Sequence, residues 1–119
     1  MVKFNELLLD TNFIVECSKR RLLGKARELV PGAKVVTLQA VVDELEEKGE
    51  GLALEIVESE GMEVKAVEGY ADKVIEEYAA KGGVAVATND KALTEKLRTA
   101  GIAVVFPTKS GCDIVGGIV

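Results

Sequence analysis

The sequence predicts a three-layer α/β/α fold around a parallel sheet of about five strands in the order 3-2-1-4-5. Two observations carry that prediction. Short strand-like runs alternate with helical periodicities along the chain. Those runs are continuously apolar rather than alternating, as in Leu7-Leu8-Leu9 and Val84-Ala85-Val86-Ala87, the pattern of parallel strands buried on both faces.

The first strand is expected at 6–9 and the helix after it at 12–29, with a break at Gly24. Pro31-Gly32 stops that helix before a strand at 34–37. Leu38, Val41, Val42 and Leu45 recur with helical spacing and define a helix over 38–48. A second helix over 51–60 ends at Gly61, and a strand follows at 62–67. A helix over 70–81 stops at Gly82-Gly83, ahead of the strand at 84–87. The last pair is a helix at 90–100, stopped by Gly101, and a strand at 102–106. The whole of 1–119 reads as one domain, with 107–119, which contains Gly111, Gly116 and Gly117, as a tail assigned to no element.

Composition narrows the chemistry. The chain has no histidine, which removes histidine bases, Ser-His and Cys-His nucleophilic pairs and histidine metal ligands. Cys17 and Cys112 match no metal or redox spacing. No apolar run is long enough to span a bilayer, and no charged-then-apolar leader precedes Asp10; a cytoplasmic protein without membrane contact is expected. The formal charge of −5 argues against a generic nucleic-acid binder, unless the acids gather around metal.

The acids do fall in telling places. Asp10-Thr11-Asn12 and Thr88-Asn89-Asp90 are mirrored tripeptides, each following a strand and opening a helix. In an open parallel sheet, ligands bind at the carboxyl ends of strands where the strand order reverses. The 3-2-1-4-5 order places that reversal between strands 1 and 4, so Asp10 and Asp90 would meet there. Singly, each also reads as a helix N-cap. Thr11, Asn12, Thr88 and Asn89 are suited to cap helices and to orient the acids by hydrogen bonds.

Two further acids lie between them. Glu44 borders the apolar stripe of its helix, whereas Asp43 and Glu47 point further out; periodicity does not separate Glu44 from Glu46. Asp72 sits in the first turn of its helix, where an acid also suits the helix dipole. Carboxylates crowded together repel and partly protonate unless a cation intervenes. Oxygen-only ligands favour Mg²⁺ or Mn²⁺, as one or two ions. Such ions supply a nucleophilic water near neutral pH and steady a leaving oxygen, the two services that phosphodiester hydrolysis needs.

The chain resembles the PIN-domain nucleases through four elements in order: Leu9-Asp10-Thr11-Asn12, Val42-Asp43-Glu44-Leu45, Ala71-Asp72-Lys73-Val74-Ile75 and Ala87-Thr88-Asn89-Asp90-Lys91-Ala92-Leu93. The resemblance implies the 3-2-1-4-5 sheet and a catalytic centre of Asp10, Glu44, Asp72 and Asp90. In it Asp10, Asp72 and Asp90 ligate Mg²⁺ or Mn²⁺, and Thr88 supports the last acid. It selects Glu44 over Glu46. The expected activity is endonucleolytic cleavage of RNA leaving a 3′-hydroxyl and a 5′-phosphate. The run from Ala87 through Leu93, then Leu97-Arg98 and Gly101-Ile102-Ala103-Val104, is similar to small archaeal PIN proteins related to the nuclease of small-subunit ribosomal RNA processing. VapC-type toxins form a neighbouring subgroup, but more often carry Arg between the Thr and Asp, where Asn89 stands here. The partners implied are an RNA substrate, a second copy of the chain, and an antitoxin or a ribosome-assembly partner.

Lys91, next to Asp90, is the best placed phosphate contact; Lys19, Arg20, Arg21, Lys25, Arg27, Lys96 and Arg98 read mainly as solvated helix faces. With five aromatics in the chain (Phe4, Phe13, Tyr70, Tyr78, Phe106), base stacking finds little support. Met62 and the apolar tail from Ile114 to Val119 read as a protein interface, as core packing or, for the tail, as disorder. Two rivals stand beside the nuclease: a non-catalytic PIN docking module, and a receiver-type regulatory domain, for which Glu68 and Lys109 are poor matches.

Overall fold

The computed structural model describes residues 3–117. Leu7, Leu8 and Leu9 have no solvent exposure, so β1 (Glu6–Leu9) is buried on both faces, as its unbroken apolar run requires. β2 (Lys34–Leu38) and β4 (Val84–Ala87) flank it, both parallel to it. β3 (Glu63–Lys65) pairs with β2, β5 (Val104–Pro107) with β4, and β6 (Cys112–Val115) with β5. The sheet order is 3-2-1-4-5-6, parallel apart from the antiparallel β5–β6 pair. This order differs from the 2-1-3-4-5 sheet of receiver domains.

Helices supply the crossovers. α1 (Thr11–Lys19) and α2 (Leu23–Leu29) join β1 to β2. α3 (Gln39–Glu47) and α4 (Gly51–Ser59) join β2 to β3. α5 (Ala71–Ala79) leads into β4, and α6 (Lys91–Thr99) joins β4 to β5. Right-handed crossovers place α1–α4 on one face and α5 and α6 on the other; accordingly α1 packs on α3 and α4, and α5 on α6. Phe13, Ile14, Val41, Leu45, Ile75 and Leu97 are fully buried where these helices meet the sheet.

Two features depart from expectation. The first helix breaks at residues 20–22, and Gly24 lies inside α2. The Arg20 guanidinium donates to the carbonyls of Thr108 and Lys109, 2.6 and 3.2 Å away, so a tertiary anchor sets the break. The unassigned tail supplies β6. Gly117, at φ +66, runs so close to Ala103 that a side chain there would collide with its backbone. Met62 is core, and Ile114 and Val115 pack half-buried against it; residues 118 and 119, in the proposed interface tail, lie outside the described residues. Among the described residues no helix is long and apolar enough to cross a membrane.

Candidate functional site

The β1–β4 register decides where the tripeptides go. Leu9 stands opposite Ala87, so Asp10 is level with Thr88, while Asp90 sits two residues beyond the strand end. The Asp10 amide closes the pairing by donating to the Ala87 carbonyl at 3.0 Å. On the other side of β1, the buried Thr37 hydroxyl donates to the Leu9 carbonyl at 2.9 Å.

Both aspartates are N-caps. Asp10 Oδ1 accepts from the Phe13 amide at 2.7 Å and Asp90 Oδ1 from the Leu93 amide at 2.9 Å, satisfying orphan donors of α1 and α6. Thr88, fully buried, links them: its hydroxyl donates to Asp10 Oδ2 and accepts from the Asp90 amide at 3.0 Å. Capping and site-building therefore coexist in the same side chains.

A cleft of about 330 Å³ opens above this junction. Glu44 from α3, Asp72 from α5, Asp90 and Asn12 line it, with Tyr70 at the entry to α5. Asp10 lies beneath, only 4% exposed. Burial, reinforced by the negative charges of Asp90 and Asp72, pushes the Asp10 carboxyl up to about 7, against the Thr88 and Phe13 hydrogen bonds. Burial and then the charges of Asp90 and Glu44 likewise raise Asp72. Glu44 moves the other way. Although burial opposes it, the Thr11 hydroxyl at 2.7 Å and the Lys48 ammonium at 2.9 Å hold its carboxyl below the usual range.

Several side chains took roles that periodicity did not reveal. Thr11 and Lys48 hold Glu44, and the charges of Lys96 and Lys48 partly offset those around Asp72. The signal for Lys48 was its place four residues after Glu44. Asp43 and Glu47, expected to point outward, border the cleft. Asn12 lines the cleft without a hydrogen bond to an acid, and Asn89 turns into a neighbouring groove together with Lys91. Of the remaining cations, Arg27 pairs with Glu60 and Arg98 with Glu95.

The donor set is all oxygen, and among the described residues its buried member, Asp10, pairs with no cation. That chemistry fits a hard divalent ion. Among the described residues, no three acidic or cysteine side chains converge closely enough to ligate one point, so the shared cleft, rather than a formed ligand cage, is what the fold provides.

Comparison with protein-family models matches residues 1–108 to the PIN-like domain. The chain belongs to that family. The search of curated proteins found no match.

Proposed function

We propose that this PIN-like domain is a metal-dependent endoribonuclease, with Asp10, Asp72 and Asp90 holding Mg²⁺ or Mn²⁺ and Glu44 orienting the attacking water. The observation that carries this reading is the burial of the Asp10 carboxyl beside Asp72 and Asp90, with no cation paired to it among the described residues. A structural N-cap needs no such crowding, since an exposed Asp or Asn caps equally well. Nucleases of the PIN-like family make hydrolysis the leading class, and RNA is the substrate the motif resemblance favours.

A bound divalent ion supplies a nucleophilic water and neutralises charge developing on phosphate. The chain's own residues prepare the place for it. Thr88 ties the Asp10 carboxylate to the backbone amide of Asp90 through one hydroxyl, which fixes the buried acid against the start of α6. Thr11 and Lys48 keep Glu44 ionised and pointed at the cleft wall, ready to accept a hydrogen bond from water. In-line displacement at phosphorus then leaves a 3′-hydroxyl and a 5′-phosphate. The motif resemblance supports a role in ribosomal RNA processing, with a VapC-type toxin ribonuclease as the alternative.

The test is cleavage of a panel of single-stranded and hairpin RNAs with Mn²⁺, Mg²⁺ or EDTA. Wild type is expected to cut only with metal, and Asp10→Asn and Asp90→Asn each to lose activity by at least about 100-fold, the scale of one essential transition-state contact. Full activity in either variant would rule the mechanism out. A folded wild type that binds RNA but never cuts would favour the docking module.

A further inference from the structure

Folding leaves three large apolar side chains exposed among the described residues: Leu52, Val64 and Tyr70. Tyr70 belongs to the acid cleft. The other two lie on α4 and β3, which together with α3 bound a separate groove of about 560 Å³. The buried Val57 and Met62 lie deepest in it, half-buried Val42 and Leu54 form its walls, and Val64 stands at its edge, 37% exposed. α3 divides this groove from the acid cleft, turning Val42 and Glu46 to the one and Asp43, Glu44 and Glu47 to the other.

The surround of the groove is acidic. Exposed Glu46 and Glu58 line it and no lysine or arginine does. Neither acid pairs with a cation among the described residues. Between residues 39 and 59 stand seven acids and one cation, Lys48, which Glu44 already holds at 2.9 Å. These charges select the occupant. A nucleic acid or an anionic membrane is repelled. Two copies meeting groove to groove bring like charges together. A copy offering instead its cationic 19–27 segment, with Lys19, Arg20, Arg21, Lys25 and Arg27, makes a head-to-tail contact and no two-fold dimer. A cationic, amphipathic segment of another protein satisfies both the apolar lining and the acidic rim. β3 is three residues long, with charged Glu63 and Lys65 on either side of Val64, a poor template for an added strand. A helix is the better fit.

We infer that the groove between α3, α4 and β3 is a docking site for a basic amphipathic helix of a partner protein. Apolar side chains of that helix, spaced i, i+3, i+4 and i+7, enter over Val57 and Met62. Its Lys or Arg residues face Glu46 and Glu58, which steers the encounter and sets the orientation. Met62, unbranched and flexible, lets the floor adapt to what enters. The inference stands apart from the nuclease reading, since it uses none of the four cleft acids.

The test is titration of the full chain with a short Leu/Lys peptide patterned as such a helix, read by fluorescence anisotropy and by backbone amide shifts in NMR. A scrambled peptide of the same composition and a Leu/Glu peptide with the same apolar face serve as controls. The patterned Leu/Lys peptide is expected to bind at least about ten-fold more tightly than either, with shifts centred on α3, α4 and β3. Val64→Lys, and Glu46→Lys combined with Glu58→Lys, should each weaken it about ten-fold. Glu77→Lys combined with Glu95→Lys, the same change of charge on α5 and α6, should not. No preference for the patterned peptide, shifts confined to other elements, or equal loss in the two double variants would overturn the site. So would groove shifts produced by a short RNA, or a dimer in sedimentation that Val64→Lys dissociates, which would assign the groove to RNA or to a second copy.

Discussion

Asp10 and Asp90 do the same local work on neighbouring strands, yet one is sealed and the other faces the cleft. Each caps a helix through Oδ1. The difference comes from the mirrored order of their tripeptides. With Leu9 opposite Ala87, the level that Asp10 occupies on β1 falls to Thr88 on β4, and Asp90 is carried two residues further towards solvent. A hydroxyl thereby meets a carboxylate where two aspartates would otherwise collide. The buried acid is raised by desolvation, and the outer one lines the cleft. One junction thus has a proton-holding interior and an accessible edge.

The largest effect that should separate the two is on stability in EDTA. Asp10 carries a folded-state value of about 7 against an ordinary 3.8, so between these values the folded chain holds a proton that the unfolded chain has released. Its stabilising contribution is complete below pH 4 and is lost as pH rises through 7. A difference of that size is worth on the order of 4 kcal/mol. Asp10→Asn is therefore expected to be more stable than wild type at pH 8 and nearly equal to it at pH 4, by urea unfolding in EDTA. Asp90→Asn, at a half-buried position, should change stability by less than about 1 kcal/mol at either pH. A wild type whose stability rises from pH 5 to pH 8 more steeply than that of Asp10→Asn would contradict the assignment.

Thr88→Val tests the link between the aspartates. It removes a donor to Asp10 and an acceptor for the Asp90 amide at constant shape. Leaving buried partners unsatisfied costs about 1–3 kcal/mol, and the denaturant midpoint should fall accordingly. A smaller change belongs to the opposite wall. Lys48→Ala removes an exposed ion pair with Glu44, which should alter stability by less than about 1 kcal/mol. The same variant should move the acid limb of the cleavage pH profile upward, because Glu44 would lose one of the partners that hold it low.

Legibility followed how local each cause is. β1 and β4 could be read at their observed bounds because a fully buried parallel strand leaves an unbroken apolar run, and the order 3-2-1-4-5 followed from crossover rules. β6 could not: Cys112–Val115 is short, half-buried and flanked by glycines, and it is a strand only because β5 offers an edge. The break before α2 was misplaced at Gly24 because its cause is Arg20 reaching Thr108, 88 positions away. At the site, Asp10 and Asp90 announced themselves by position at strand ends, and Lys48 was accessible from its spacing. Thr11 holding Glu44 was not, since α1 and α3 meet only in the folded chain. The low count of aromatics likewise hid which of them packing would leave outside.

The most direct measurement is Mn²⁺ binding, followed by electron paramagnetic resonance of the free ion, on wild type, Asp10→Asn and Asp90→Asn at pH 6 and pH 8. Buried and open acids acting as two halves of one centre predict that wild type binds Mn²⁺ more tightly at pH 8, as the metal no longer has to displace the Asp10 proton. Both variants should bind at least about ten-fold more weakly, and Asp10→Asn should lose most of that pH dependence. Wild-type affinity retained in Asp10→Asn would show that the buried aspartate is a helix cap alone and that the centre does not include it.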